Sequence, residues 1–122
     1  MEKIKLKIVD NTFKHCEFSN NPLPPTSFSK YIEWDRNVSS NEELVFYTDA
    51  DALNPQPNHK RRIAWLIEPY VKQTQRYNWV EKNSHLFEWI LVNEKSLLDK
   101  GENYVYYPFG GCWIEVNNRK VD

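Results

Sequence analysis

The run Arg62-Ile63-Ala64-Trp65-Leu66-Ile67-Glu68-Pro69 lies near the middle of the chain. Ile63 to Ile67 is apolar without a break, and a short run of large apolar side chains reads as a β-strand buried on both faces. Pro69 ends the ladder because proline has no N–H to donate. Glu68 stands between them, a carboxylate at the carboxyl end of a buried strand, where open α/β sheets build their sites. The same position also suits an acidic residue in the first turn of a following helix, favoured by the helix dipole. Sequence alone leaves both readings open.

Beyond Pro69, Tyr70, Tyr77, Val80, Ser84 and Phe87 recur at helical spacing. They predict an amphipathic helix over 70–87 with Lys72, Gln73, Gln75, Arg76, Glu81 and Lys82 outward. Glu88-Trp89-Ile90-Leu91-Val92 reads as the next strand, and Asn93 as the N-cap of a short helix over Ser96-Leu97-Leu98 that Gly101 stops. Tyr104-Val105-Tyr106-Tyr107 is one more strand, closed by Pro108-Phe109-Gly110-Gly111. The two glycines let backbone approach a ligand or another segment closely, or simply make a tight turn. Strand, helix, strand, short helix, strand is the βαβαβ signature of a layered, Rossmann-like sheet. The fold class expected is α/β, one domain over 1–122 with a mostly parallel sheet.

On the other side of the central run the pattern is also strand-like. Lys3, Lys5 and Lys7 alternate with Ile4, Leu6 and Ile8, a strand with one apolar face. Tyr31-Ile32-Glu33-Trp34 reads as a short strand, and Glu43-Leu44-Val45-Phe46-Tyr47-Thr48-Asp49 as a buried one ending in a carboxylate. The link between these two is too short for an ordinary helical crossover, so sequence leaves the pairing before residue 50 open. Lys60-Arg61-Arg62 reads as a solvated basic loop. Asn20-Asn21-Pro22-Leu23-Pro24-Pro25 excludes helix and marks a long loop of the kind that often carries function. His15 and Cys16 at its start are adjacent, a poor geometry for a nucleophile and its base, and read as packing residues.

The 122 residues make one domain, with 40% hydrophobic and 15% aromatic content, too much for a disordered tail. A net charge of −1 offers no footprint for nucleic acid or an acidic membrane. No apolar segment approaches the roughly 20 residues of a membrane span, and Met1-Glu2-Lys3 opens no signal peptide. Cys16 and Cys112 have no metal spacing and read as thiols in a reducing compartment. Asn37-Val38-Ser39 fits a glycosylation sequon, which carries little weight without a secretion signal. A cytoplasmic protein with no metal or cofactor is expected. No Gly-x-Gly-x-x-Gly or Walker string follows a strand, so a dinucleotide or P-loop site is not expected.

Three strings together carry a resemblance: Arg62 to Pro69; Phe87 to Val92 leading into Lys95-Ser96-Leu97-Leu98; and Tyr106-Tyr107-Pro108-Phe109-Gly110-Gly111-Cys112-Trp113-Ile114. Between Leu44 and Ile114 the chain resembles the N-terminal, acceptor-side half of the fucosyltransferase-like GT-B glycosyltransferases of bacteria, phages and large viruses. The resemblance implies two Rossmann-like halves with a cleft between them, the second half holding the nucleotide sugar. Trp65-Leu66-Ile67-Glu68-Pro69 is the nearest equivalent, with shortened spacing, of the string whose carboxylate is proposed as general base. Glu68 is thus the catalytic candidate in an inverting transfer, taking the acceptor hydroxyl proton as the donor sugar departs. Asp49, Trp65, Arg76, Phe109, Gly110 and Gly111 are the substrate-binding candidates, and the expected partner is a glycan acceptor. A donor-binding half would dock near Trp113 and Ile114. The eight residues after Ile114 do not resemble that half. The expectations are a piece of a larger enzyme, a half-enzyme with a separate partner, or a relic that binds glycans without transferring them. From another class comes a stand-alone protein-interaction module that kept the fold for its surface.

Overall fold

The protein is described from a computed structural model that covers residues 2–11 and 31–108. The apolar runs form six strands: β1 (Ile4–Val9), β2 (Ile32–Asp35), β3 (Leu44–Thr48), β4 (Arg61–Trp65), β5 (Trp89–Val92) and β6 (Tyr104–Tyr106). They make one sheet in the order β2-β1-β3-β4-β5-β6, and every neighbouring pair is parallel. The chain is therefore α/β, with β4 inside the sheet as its apolar run requires. Residues Leu66 and Ile67 lie past the ladder, and the strand instead begins two residues earlier, at Arg61.

Register sorts the strand residues onto two faces, because successive side chains point opposite ways. Tyr47, Ala64, Ile90 and Tyr104 face each other across four strands on one side. With Val45, Leu66 and Val92 they form the main core. Every described helical segment adds to it: Ala52 from a 3₁₀ segment Asp49–Leu53, Tyr77 and Val80 from α1 (Thr74–Lys82), Leu86 from Ser84–Leu86, and Leu97 from Lys95–Lys100. Successive steps from β3 to β6 run in one direction, and connections of one hand then share a face. The other face carries Ile8, Trp34, Phe46, Ile63 and Trp65. Trp34 there meets Phe46 edge-on at 5.0 Å and Trp65 at 5.3 Å between ring centroids.

Several local expectations are corrected. The long helix is split: α1 ends at Lys82, where the Asn83 amide donates to the Trp79 carbonyl at 2.9 Å and takes up a helix-end acceptor. Its start is late because the N–H groups of Lys72 and Gln73 are held in turns on the Pro69 carbonyl. The segment after β5 is 3₁₀ and spans Lys95–Lys100. Asn93 does not cap it, and its amide reaches the Ile67 carbonyl at 2.9 Å. Arg61 and Arg62 belong to β4, not to a loop. Arg61 forms two hydrogen bonds to Glu88, and Arg62 donates to the carbonyls of Gln56, Pro57 and Leu86. His59 is a satisfied core histidine: its Nδ1 meets the Tyr47 hydroxyl and its Nε2 the Ser39 carbonyl.

The link from β2 to β3, residues 36–43, crosses β1 without a helix. It passes on the main-core side, where Val38 packs against the cluster. Lys7 of β1 points up beneath it and donates to Asp35 at 2.9 Å and to the Asn37 carbonyl at 2.8 Å, with Glu42 at 3.8 Å. A lysine whose head meets loop acceptors lets a short loop take the place of a crossover helix. Its hydrogen bond, together with the Asn37 N–H, holds the Asp35 carboxyl below the usual range. In acid the unfolded chain therefore binds the proton first, so this contribution is full at neutral pH and is lost as pH falls below the ordinary carboxylate value. Lys7→Met should cost about 1 kcal/mol or less at pH 7 and flatten the acid limb of stability, measured by urea unfolding from pH 7 to pH 3. An unchanged acid limb would remove Lys7 from this role.

Candidate functional site

Because all strands are parallel, their carboxyl ends line one edge of the sheet. The chain steps from β1 to β2 on one side and then back past β1 to β3, so the switch in direction lies between β1 and β3. There Asp10 is buried and accepts hydrogen bonds from Thr48 Oγ1 at 2.7 Å and Arg36 at 2.8 Å. Asn11 donates to Asp51 from its backbone at 2.8 Å and its amide at 2.7 Å. In the sequence Asp10 and Asn11 directly follow the first strand and read as turn residues. An acid directly after a strand was the available signal, the same one that marks Asp49 and Glu68.

One step along the edge, β4 leaves the ladder at Trp65 while its backbone is still inside the protein. Every backbone polar group of the next three residues has a partner. Leu66 N–H donates to the Leu91 carbonyl at 3.0 Å, and the Tyr107 hydroxyl donates to the Leu66 carbonyl at 2.8 Å. The N–H of Ile67 donates to Asp49 at 3.1 Å, and its carbonyl accepts from Asn93 at 2.9 Å. The N–H of Glu68 donates to Asp49 at 3.0 Å, and its carbonyl accepts from the Tyr77 hydroxyl at 2.5 Å. Six groups are held by partners drawn from β5, from α1 and from the segments that follow β3, β5 and β6.

The Glu68 side chain is treated differently. It is half-buried, and among the described residues no hydrogen bond or ion pair engages its carboxylate. It caps no helix, since α1 begins at Thr74. The arrangement fixes the backbone of a carboxylate and leaves the carboxylate open, which is the layout of a preorganised acid or base. Asp49 is the reverse: its side chain is fully buried, and its oxygens are occupied by the two N–H groups and by Arg76 Nη1 at 3.0 Å. Burial raises the Asp49 carboxyl above its ordinary range, against the opposing pull of the Glu68 and Ile67 N–H groups and of Arg76. Arg76, expected to face outward, turns back to Asp49 instead. Burial also drives the Tyr77 phenol far up, and the Tyr107 phenol up to about 12, so both stay neutral hydrogen-bond donors.

Trp65 ends β4 on the face opposite the main core, edge-on to Tyr107 at 6.1 Å. Phe109, Gly110, Gly111, Trp113, Ile114, His15, Cys16 and Cys112 lie outside the described residues. Tyr77, Asn93 and Tyr107 are the site members that sequence reading assigned to core, cap and strand. Among the described residues no group of three or more His, Cys, Asp or Glu is placed to hold a metal ion, and no helix is long and apolar enough to cross a membrane. In comparisons with known proteins the chain matches no family model, no curated protein and no solved structure.

The clasp around 66–68 makes a direct prediction. Tyr77→Phe, Tyr107→Phe and Asn93→Ala each strand one carbonyl and should cost about 1 kcal/mol in chemical unfolding. Their pairwise combinations should be non-additive, since all three act on one segment. Full additivity would mean that the three bonds are independent ties.

Proposed function

We propose that this domain is the acceptor-side half of an inverting, fucosyltransferase-like glycosyltransferase of GT-B type, with Glu68 as the general base. The observation that carries the reading is the open Glu68 carboxylate on a backbone whose six polar groups are all held. An acceptor hydroxyl must lose its proton as it attacks the sugar carbon. A positioned carboxylate within hydrogen-bond reach supplies that step. The parallel sheet with Glu68 at its carboxyl edge also suits one half of a two-domain cleft. Trp65, three residues before Glu68, is the aromatic side chain that this reading assigns to packing against the acceptor ring. In this reading the nucleotide sugar is held by the other half, consistent with the lack of a phosphate-binding glycine string among these strand ends.

A second reading is a glycan-binding or protein-interaction module without transferase activity. The feature that favours it is the sheet edge at β6, where Val105, Tyr106 and the neighbouring Trp89 are each more than a third exposed.

The readings separate by titrating the isotope-labelled chain with oligosaccharides and with GDP-fucose, followed by NMR. The transferase reading expects acceptor-induced shifts at Trp65 and Glu68 and no tight nucleotide-sugar binding. Micromolar affinity for GDP-fucose would overturn the division of labour. Joined to a donor-binding half, Glu68→Gln should lower transfer by roughly 10²–10⁴-fold with the fold intact. Full activity in that variant would reassign Glu68 to structure.

A further inference from the structure

We infer that Asp49 does not touch substrate and is a positioning residue that acts through the backbone of Glu68, with Arg76 as its counter-charge. The inference rests on the proposed role of Glu68 and adds how that side chain is held.

Asp49 follows the last residue of β3 and has φ +45°, alone among the described non-glycine residues in the left-handed region. Aspartate tolerates this conformation better than most residues, but a chain adopts it only where the surroundings over-determine it. Here it aims the carboxylate sideways across the sheet at β4's exit rather than outward from the strand end. Oδ2 accepts from Ile67 N–H at 3.1 Å and Oδ1 from Glu68 N–H at 3.0 Å. Two successive N–H groups on one carboxylate fix the direction of the peptide that carries Glu68.

Arg76 completes the device. Its guanidinium shares Oδ1 at 3.0 Å and balances the charge of a carboxylate with no solvent of its own. A substrate-contacting aspartate would keep an oxygen free for ligand. The Asp49 side chain is instead fully buried, with both oxygens occupied.

The test uses Asp49→Asn, which keeps one acceptor oxygen in place, and Arg76→Met, which removes the counter-charge. Amide exchange followed by NMR on the whole chain should speed about tenfold at Ile67 and Glu68 for the loss of one such bond. Ile63 and Ala64, in the sheet, should keep their protection. With a donor-binding half present, Asp49→Asn should lower kcat by about 10²-fold through misplacement of the base, with acceptor KM nearly unchanged. A raised acceptor KM with normal kcat would make Asp49 a substrate contact and overturn the inference, as would unchanged exchange at Ile67 and Glu68. If the wild-type pair of halves transfers no sugar, the transferase reading fails. The exchange data then still decide whether Asp49 holds the Glu68 backbone.

Discussion

A strand that leaves its ladder inside a protein must find other partners for its backbone, because a buried N–H or carbonyl left unpaired costs as much as a lost hydrogen bond. That constraint applies at Leu66 to Glu68, and the rest of the carboxyl edge is built around it. The buried carboxylate of Asp49 takes two of the N–H groups, and Tyr77, Asn93 and Tyr107 supply the carbonyl donors. Helix α1 is placed so that Tyr77 and Arg76, neighbours in sequence, each reach this segment or its anchor. Position and chemistry are coupled here: the elements that close the core are the ones that hold the Glu68 peptide.

Among the described residues, the two faces of the sheet differ in what packs on them. The described helical segments crowd one face, and even the short β2–β3 link crosses there, with Lys7 beneath it. The aromatic cluster of Trp34, Phe46 and Trp65 occupies the other. Glu68 lies three residues beyond Trp65, which ends β4 on the aromatic face.

Two carboxylates that look alike in the sequence, each directly after an apolar strand, have opposite fates. Among the described residues, Asp49 is consumed by its own chain and the Glu68 carboxylate is not. The difference comes from a backbone angle and from partners distant in sequence: Asp49 turns inward at φ +45° to meet Ile67, Glu68 and Arg76, all at least 18 residues away. Strand-end position thus marks candidates, and the use of the oxygens sorts them.

The sequence by itself determined the α/β class, the six strands to within one or two residues at most ends, the inner place of the Ile63–Trp65 run, and the position of Glu68 at the sheet edge. Those features follow from local periodicity and from proline's missing donor, which neighbouring residues alone express. Only the tertiary structure decided the order β2-β1-β3-β4-β5-β6, the helix-free crossing above Lys7, the early end of α1 at Asn83, and the inward turn of Arg76. It also decided that Asn93 serves the Ile67 carbonyl rather than a helix start. Each of these is a competition between hydrogen-bond partners, and a local pattern cannot rank a partner that lies tens of residues away and is brought near only by folding.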